Sequence, residues 1–107
     1  AFLKKLDDYI KTNIKNPNID IDDLAEHVFM SRTTFYRKIK SLSSLSPTEL
    51  IDITRLKPAA SLIAQNEFSL FNLSTMVGYS SQSLFSRNFQ KYFKVSPIEY
   101  LNSLPRE

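Results

Sequence analysis

The sequence predicts an all-α protein of seven helices, and three observations carry that prediction. Apolar residues recur at helical spacing throughout the 107 residues. The single glycine disfavours β-hairpins, because their tight turns usually need glycine. The stretch around Phe35 returns around Phe85, fifty residues later. Two copies are too few for a solenoid, so we expect two similar units side by side in one small domain.

The repeat can be followed residue by residue. Upstream of its clearest part, Val28 aligns with Val77 and Met30 with Tyr79, one residue out of step with the rest. We therefore expect a one-residue insertion in the second copy, near Ser80. The pairs that match fifty residues apart are Ser31 and Ser81, Phe35 and Phe85, Arg37 and Arg87, Ser46 and Ser96, Pro47 and Pro97, and Glu49 and Glu99.

The first copy begins with two predicted helices. An apolar stripe from Leu3 to Ile14 predicts the first helix, which should end in the turn around Pro17. A short acidic helix should follow from about Asp22 to Val28. The aspartate at position 20 or 22 is suited to cap it, because a carboxylate there accepts from free N–H groups and offsets the helix dipole.

The third predicted helix runs from about Arg32 to Leu42, with Ser31 as its N-cap. Its apolar residues Phe35, Ile39 and Leu42 recur at helical spacing and therefore lie on one face. We expect this face to be buried and the opposite face to be exposed.

A long fourth helix should begin at Pro47 and continue towards Gln65, joining the two copies. Ser46 and Glu49 have the spacing of a capping box, and proline is favoured at the first helical position because its missing N–H costs nothing there. Pro58 lies inside this helix. Proline at an interior position removes a backbone hydrogen bond, so we expect a kink that alters the angle between the two copies.

The second copy repeats this plan with three further helices, predicted at residues 70–77, 82–93 and 97–104. Phe85 and Phe89 should face the core, and the same spacing argument places Phe29 and Phe93 there. Gly78 is predicted to serve the turn of this copy, because glycine adopts a positive φ more readily than other residues.

The composition excludes several classes of function. The chain has no cysteine, which removes disulfides, thiolate metal sites and cysteine nucleophiles, and fits a reducing, cytoplasmic compartment. Its one histidine, His27, leads us to predict no metal and no other cofactor. The single glycine leaves no phosphate-binding loop, and no serine-nucleophile motif is present, so we expect no enzyme activity. No apolar run is long enough to span a membrane, and we expect no membrane contact.

The formal net charge of +3 is unevenly distributed. No acidic residue occurs from His27 to Thr48 or from Ser69 to Ile98, and both windows coincide with the repeated motif. A single basic stripe is often an ordinary solvated face. Two such stripes on two matched elements favour a polyanionic partner.

The polar residues of the third and sixth helices fall on arcs that face away from the apolar stripes, at 100° per residue. Their side chains are suited to reach base edges and phosphates in the major groove of DNA, which admits an α-helix. They are Arg32, Thr33, Tyr36, Arg37 and Lys40 in the first copy, and Gln82, Ser83, Ser86, Arg87 and Gln90 in the second.

Two of these assignments leave alternatives open. Arg37 and Arg87 either contact DNA or pair with acids that brace their units, although no acid is close in sequence to either. Tyr36 either contacts DNA or fills a half-buried position. A helical protein-interaction module without DNA specificity is the competing class of function, and it predicts exposed apolar stripes.

Three stretches carry a resemblance to a known family: LAEHVFMSRTTFYRKIK, RLKPAASLI and VGYSSQSLFSRNFQKYFKVSPIEY. From about Asp22 to Tyr100 the chain resembles the C-terminal DNA-binding domain of the AraC/XylS family of transcription regulators. The resemblance implies helix-turn-helix subdomains at residues 1–45 and 67–107, joined by a linker helix at residues 46–66. It also implies sequence-specific binding of double-stranded DNA by two recognition helices, and contact with RNA polymerase.

The resemblance also assigns recognition positions, early in the third and sixth helices. Lys38 and Lys40 lie nearby and are expected to bind phosphates. The family usually has glycine shortly before each Ser-Pro helix start, whereas this chain has Ser44 and Lys94 there. The recognition positions are Arg32, Thr33, Tyr36 and Arg37 in the first copy, and Gln82, Ser83, Ser86 and Arg87 in the second.

A narrower similarity concerns the protein beyond this chain. The phrase FMSRTTFYRKIKSL followed by LSP is similar to the output domains of hybrid two-component sensors from gut Bacteroidetes. The chain also starts with Ala1 and enters a helical pattern at once. We therefore expect an upstream sensor or dimerisation part in the same protein.

Overall fold

A computed structural model of the protein describes residues 2–105, and every regular element in that range is an α-helix. The predicted all-α fold is therefore confirmed. The predicted helix boundaries lie within one residue of the observed ones, except that α1 ends at Thr12, before the turn around Pro17 where its end was predicted. The seven helices are α1 (Phe2–Thr12), α2 (Ile21–His27), α3 (Arg32–Ser43), α4 (Pro47–Gln65), α5 (Leu70–Met76), α6 (Gln82–Phe93) and α7 (Pro97–Ser103).

Short polar side chains fix the starts of six helices, because each accepts a hydrogen bond from an N–H group that the helix leaves free. Asp20, rather than Asp22, caps α2: its carboxylate accepts from the Asp23 N–H at 2.8 Å, and Asp23 accepts from the Asp20 N–H at 3.1 Å. The predicted capping box at Ser46 is present and recurs at Ser96.

Two hydrophobic cores lie side by side along α4. The first is built from α1, α2, α3 and the start of α4 around the completely buried Phe35. The second is built from the remainder of α4 with α5, α6 and α7, around Phe85 and Phe89. The resulting molecule is elongated, measuring 47 × 24 × 23 Å. Helices α1–α3 form the first helix-turn-helix unit and α5–α7 form the second. Because α4 contributes to both cores, it supports both units.

The turns of the two units share one backbone conformation, and the predicted insertion is confirmed. Phe29 has a φ of 57° and Gly78 a φ of 88°, which is the left-handed region. The N–H of the following residue donates to the carbonyl of Ala25 in the first turn at 3.0 Å, and to that of Ser74 in the second at 2.8 Å. Residues 28–31 separate α2 from α3, whereas residues 77–81 separate α5 from α6, one more.

Two residues predicted to lie in the core do not. Phe29 is 91% exposed, because the left-handed turn at this residue directs its side chain away from α2. Leu42 is 51% exposed. It lies three residues beyond Ile39 near the end of α3, and it is not among the residues that pack in or against the first core. Phe93, by contrast, packs against the second core as predicted.

The ends of α3 and α6 also match. Ser44 and Lys94 are their C-caps, with φ values of 61° and 68°. Their N–H groups donate to the carbonyls of Lys40 and Gln90 at 3.0 and 2.9 Å. A glycine at either position would relieve the crowding of a Cβ atom in this conformation.

Helix α4 continues through Pro58 as one element of 19 residues. Pro58 has no N–H to donate to the carbonyl of Thr54. The Thr54 hydroxyl is buried and donates to the carbonyl of Leu50 at 2.8 Å. The expected kink at this point stays a prediction.

Candidate nucleic-acid interface

Helix α3 presents a polar and basic face to solvent, because its apolar face is fixed in the first core. Phe35 and Ile39 are completely buried and hold the helix in this rotation. All six side chains predicted to contact DNA from this unit are exposed. They are Arg32, Thr33, Tyr36, Arg37, Lys38 and Lys40. Four of the six are cations, so the face suits a polyanion.

Helix α6 is held in the same way by the completely buried Phe85 and Phe89. Of the residues predicted to contact DNA from this unit, Gln82, Ser83 and Arg87 are exposed, whereas Ser86 is half-buried. The face therefore offers hydrogen-bonding groups with a single cation among the predicted residues.

Arg32 has two neighbours that the sequence did not reveal. Its guanidinium lies 3.6 Å from the Asp22 carboxylate and 5.9 Å from the centre of the Tyr36 ring. The pKa of Arg32 is raised, mainly by the Tyr36 hydroxyl and to a smaller extent by the Asp22 carboxylate. Asp22 is ten residues away in sequence, so only the packing of α2 against α3 brings the pair together. The ion pair is exposed and contributes little to stability.

Arg37 and Arg87 are exposed, and among the described residues no carboxylate lies within 4.0 Å of either guanidinium. The bracing alternative would require such a partner. Both side chains are therefore available to an external anion or base edge.

A buried arginine that the sequence interpretation did not single out lies in the middle of α4. Arg55 is 3% exposed, and its guanidinium donates to the carbonyls of Ile14 at 2.6 Å, Asn16 at 2.8 Å and Val77 at 2.9 Å. A signal for it exists in the spacing, because Arg55 stands four residues from Ile51, which is also buried. Its charge gives no sign of burial, because arginine is mostly exposed in proteins.

A second polar contact joins α4 to the turn before α6. The Tyr79 hydroxyl donates to the Asp52 carboxylate at 3.0 Å. Burial raises the pKa of Asp52, and this hydrogen bond only partly offsets that effect. Burial also raises the pKa of Tyr79, with the neighbouring Asp52 carboxylate acting in the same direction. The raised pKa of Tyr79 keeps its hydroxyl protonated at neutral pH, so Tyr79 is the donor of this hydrogen bond.

A cleft of about 580 Å³ separates the two helix-turn-helix units. Its walls include carboxylates of Asp20, Asp22 and Asp52 together with Arg32 and Arg55. The acidic lining makes the cleft a poor phosphate site, so the candidate interface is the exposed faces of α3 and α6. Over residues 2–105, no group of three or more side chains is arranged to hold a metal ion. None of the described helices has the length and apolarity needed to cross a membrane.

Comparison with known proteins places this geometry in a family. A helix-turn-helix domain family profile matches residues 24–103. The chain is 36% identical over 100 residues to histidine kinase P4 of Formosa agariphila, covering 94% of this chain and 7% of that protein. It is 33% identical over 93 residues to the lactose operon transcription activator of Staphylococcus xylosus, covering 87% of this chain and 33% of that protein.

A solved structure shows the same architecture. The transcriptional regulator with an AraC-type DNA-binding domain from Chromobacterium violaceum superposes with a TM-score of 0.85 at 25% identity, covering 98% of this chain and 95% of that one. The chain thus belongs to the AraC-type helix-turn-helix family of DNA-binding domains from transcription regulators, which is not an enzyme family. The chain spans a third or less of the length of the two curated relatives described above.

Proposed function

We propose that this domain binds a specific sequence of double-stranded DNA, with α3 in one major-groove segment and α6 in the next. The observation that carries the proposal is the presence, in one chain, of two matched helices with buried apolar faces and exposed polar faces. Major-groove segments on one side of B-DNA lie about 34 Å apart. The 47 Å length of the domain is sufficient to reach both.

The proposed contacts follow from side-chain chemistry. Arg37 and Arg87 are proposed to contact guanine, whose two major-groove acceptors match the fork of an arginine. Gln82 suits adenine, which offers a donor beside an acceptor. Lys38 and Lys40 are proposed to bind phosphates as point charges. The remaining proposed contacts, to base edges or to the sugar-phosphate backbone, are those of Arg32, Thr33, Tyr36, Ser83 and Ser86.

The two units are proposed to contribute unequally. The α3 face carries four cations among its six proposed contacts, whereas the α6 face carries Arg87 alone among its four. Phosphate neutralisation supplies much of the affinity and all of its salt dependence. We therefore assign most of the electrostatic affinity to the first unit, and to the second a larger share of contacts that distinguish bases.

The competing interaction module is less well supported. It requires a continuous apolar stripe on the exposed faces, and Tyr36, at 37% exposed, is the only large hydrophobic residue among the proposed contacts. We also propose that the domain has no catalytic activity of its own.

The wider context is proposed from the relatives. One relative is named a histidine kinase and is far longer than this chain. We propose that the domain is the output part of a similarly long sensor protein, that it acts in the cytoplasm, and that its regulatory partner is RNA polymerase. The proposed subdomains are residues 1–45 and 67–107, with residues 46–66 as the linker.

Selection of binding sites from a random pool of duplex DNA tests the proposal. We expect one enriched sequence, bound about 10³-fold or more tightly than a shuffled duplex at physiological salt. Affinity for both duplexes should fall linearly on a log–log plot against salt concentration. Equal affinity for the selected and shuffled duplexes at every salt concentration would contradict sequence-specific binding.

A further inference from the structure

One guanidinium joins the two helix-turn-helix units. Arg55 donates to Ile14 and Asn16, which lie in the loop leading into α2 of the first unit, and to Val77, which begins the turn before α6 of the second. Arg55 is 3% exposed. Its bond to Val77 is buried, and its bonds to Ile14 and Asn16 are partly buried. Hydrogen bonds from a charged donor are stronger than those between neutral groups. Removal of the guanidinium would leave three carbonyl groups without this hydrogen-bond donor.

The turn before α6 is shaped to fit this guanidinium. A Cβ atom added at Gly78 would overlap the Arg55 guanidinium and the Ile14 carbonyl oxygen. The positive φ of 88° at Gly78 is likewise unfavourable for other residues. Glycine at this position therefore serves two requirements, the turn itself and the close approach of Arg55.

The same turn is tied to α4 a second time, through the hydrogen bond between Tyr79 and Asp52. Asp52 and Arg55 are three residues apart and thus lie on one side of the helix. The only covalent link between the units is α4 itself, and Pro58 removes one of its backbone hydrogen bonds three residues after Arg55. The Arg55 contacts bind the units together close to this missing hydrogen bond.

We propose that Arg55 is a positioning residue that fixes the relative placement of α3 and α6, and thereby selects DNA sites by the spacing between their two half-sites. The geometric part stands on the contacts of Arg55 alone, whereas the part that concerns DNA rests on the proposed function. Arg55 lies inside the molecule and acts through the recognition helices, without touching DNA itself.

The geometric part is tested in the free protein. Because the chain has no cysteine, spin labels can be placed at Lys40→Cys on α3 and Gln90→Cys on α6, which are both exposed. Pulsed electron–electron double resonance then measures the distribution of distances between the two spin labels. We expect one narrow distance distribution for the labelled parent protein. Arg55→Lys retains the charge but lacks the forked guanidinium, so its distribution should be broader. The distribution for Arg55→Met, which also lacks the charge, should be broader still.

Lys57→Met is the matched control, since it removes an exposed cation two positions along the same helix. It should leave the distance distribution unchanged. Thermal unfolding shows whether each variant is folded, and Arg55→Lys alone decides the question if Arg55→Met does not fold. A parent-like distribution in Arg55→Lys, and in Arg55→Met if it folds, would overturn the proposal.

The part that concerns DNA is tested on the selected duplex, with one base pair inserted or removed between the two half-sites. Such a change moves the second half-site by about 3.4 Å and rotates it by about a tenth of a turn. We expect the parent to lose about 100-fold in affinity, as when geometry prevents two linked contacts from forming together. Arg55→Lys should lose less than about tenfold, because its units adjust to the new spacing.

The outcomes separate the two proposals. Equal losses in the parent and in Arg55→Lys would refute the spacing role of Arg55, while binding in two groove segments would stand. No loss in the parent would refute binding in two groove segments, and the spacing role would fall with it. The distance distributions would then still decide whether Arg55 positions the helices.

Discussion

The two helix-turn-helix turns share a backbone conformation but differ in their surroundings. In the first, Phe29 holds the left-handed position and is 91% exposed. In the second, Gly78 holds it and is buried against Arg55. The first turn is therefore stabilised by its own backbone hydrogen bonds, whereas the second also forms part of the contact between the units. The same local geometry tolerates a bulky residue in one place and excludes a single methyl group in the other.

Substitutions at Phe29 and Gly78 should give the largest difference in the free energy of unfolding between the two turns. Gly78→Ala should lower the free energy of unfolding by about 2–4 kcal/mol, because it combines a buried overlap with an unfavourable φ. Phe29→Gly should raise the free energy of unfolding by about 1 kcal/mol, because it relieves the left-handed strain at an exposed site. Urea unfolding of both variants measures the two effects. Equal and small changes would show that the second turn does not depend on its contact with Arg55.

Substitution of Arg37 on α3 and Arg87 on α6 tests how the two exposed faces contribute to DNA binding. Arg37→Ala and Arg87→Ala should each weaken binding to the selected duplex by about 1–3 kcal/mol and relax the base preference at one position. Binding titrations against the selected duplex and its single-base variants measure this. If either change instead lowers the melting temperature and leaves the affinity of the folded protein intact, that arginine braces its unit.

The lysines of α3 provide the control for the arginines. Lys38→Ala or Lys40→Ala should weaken binding evenly across sequences and reduce the slope of log affinity against log salt by about 1. Measurement at four or five salt concentrations is sufficient. A loss of affinity that depends on the base sequence would show that these lysines contact bases instead of phosphates.

The C-caps of α3 and α6 offer a smaller test. Ser44→Gly and Lys94→Gly should each raise the free energy of unfolding by about 1 kcal/mol, because both residues hold a left-handed conformation with a Cβ atom. Both exposed sites should gain stability, in contrast to Phe29 and Gly78. The gain should be smaller for Lys94→Gly, which also removes the exposed hydrogen bond from the Lys94 ammonium to the Lys91 carbonyl at 3.2 Å. Thermal or urea unfolding measures both gains, and a loss of stability in Ser44→Gly would contradict the argument.

The capping glutamates should give the smallest effect, which depends on pH. The backbone N–H of Ser46 lowers the pKa of Glu49, and that of Ser96 lowers the pKa of Glu99. A carboxyl group with a lowered folded-state pKa stabilises the protein at neutral pH, and this contribution is lost as the pH falls below the ordinary glutamate pKa of 4.5.

Glu49→Gln and Glu99→Gln retain a hydrogen-bonding cap but do not titrate. Each should flatten the acid limb of a plot of melting temperature against pH. Glu49→Gln should have the larger effect, because Lys91 and Lys40 also lower the pKa of Glu49. A steeper acid limb in either variant would show that the sign of the linkage is wrong.

The contrast between the two units also shows what the sequence could predict. Local signals were sufficient for the helices, because N-caps such as Ser46 and a repeating apolar pattern are properties of short segments. The one-residue insertion near Ser80 followed from alignment of the chain with itself. The exposed faces of α3 and α6 followed from the same apolar pattern.

Contacts between distant segments could not be predicted in this way. Arg55 was not singled out because a charged residue is usually exposed, and its partners lie 22 to 41 residues away. Phe29 was wrongly assigned to the core, because periodicity ignores the change of direction at a left-handed residue. The contact between Asp22 and Arg32 depends on the packing of two helices. Each of these features belongs to tertiary structure.

The central claim is that one chain places two recognition helices in adjacent major-groove segments. Hydroxyl-radical footprinting on the selected duplex tests it most directly, together with the stoichiometry of the complex. We expect two protected segments about 34 Å apart on one side of the DNA, in an asymmetric site that binds one chain. A single protected segment, or a palindromic site that binds two chains, would contradict the claim.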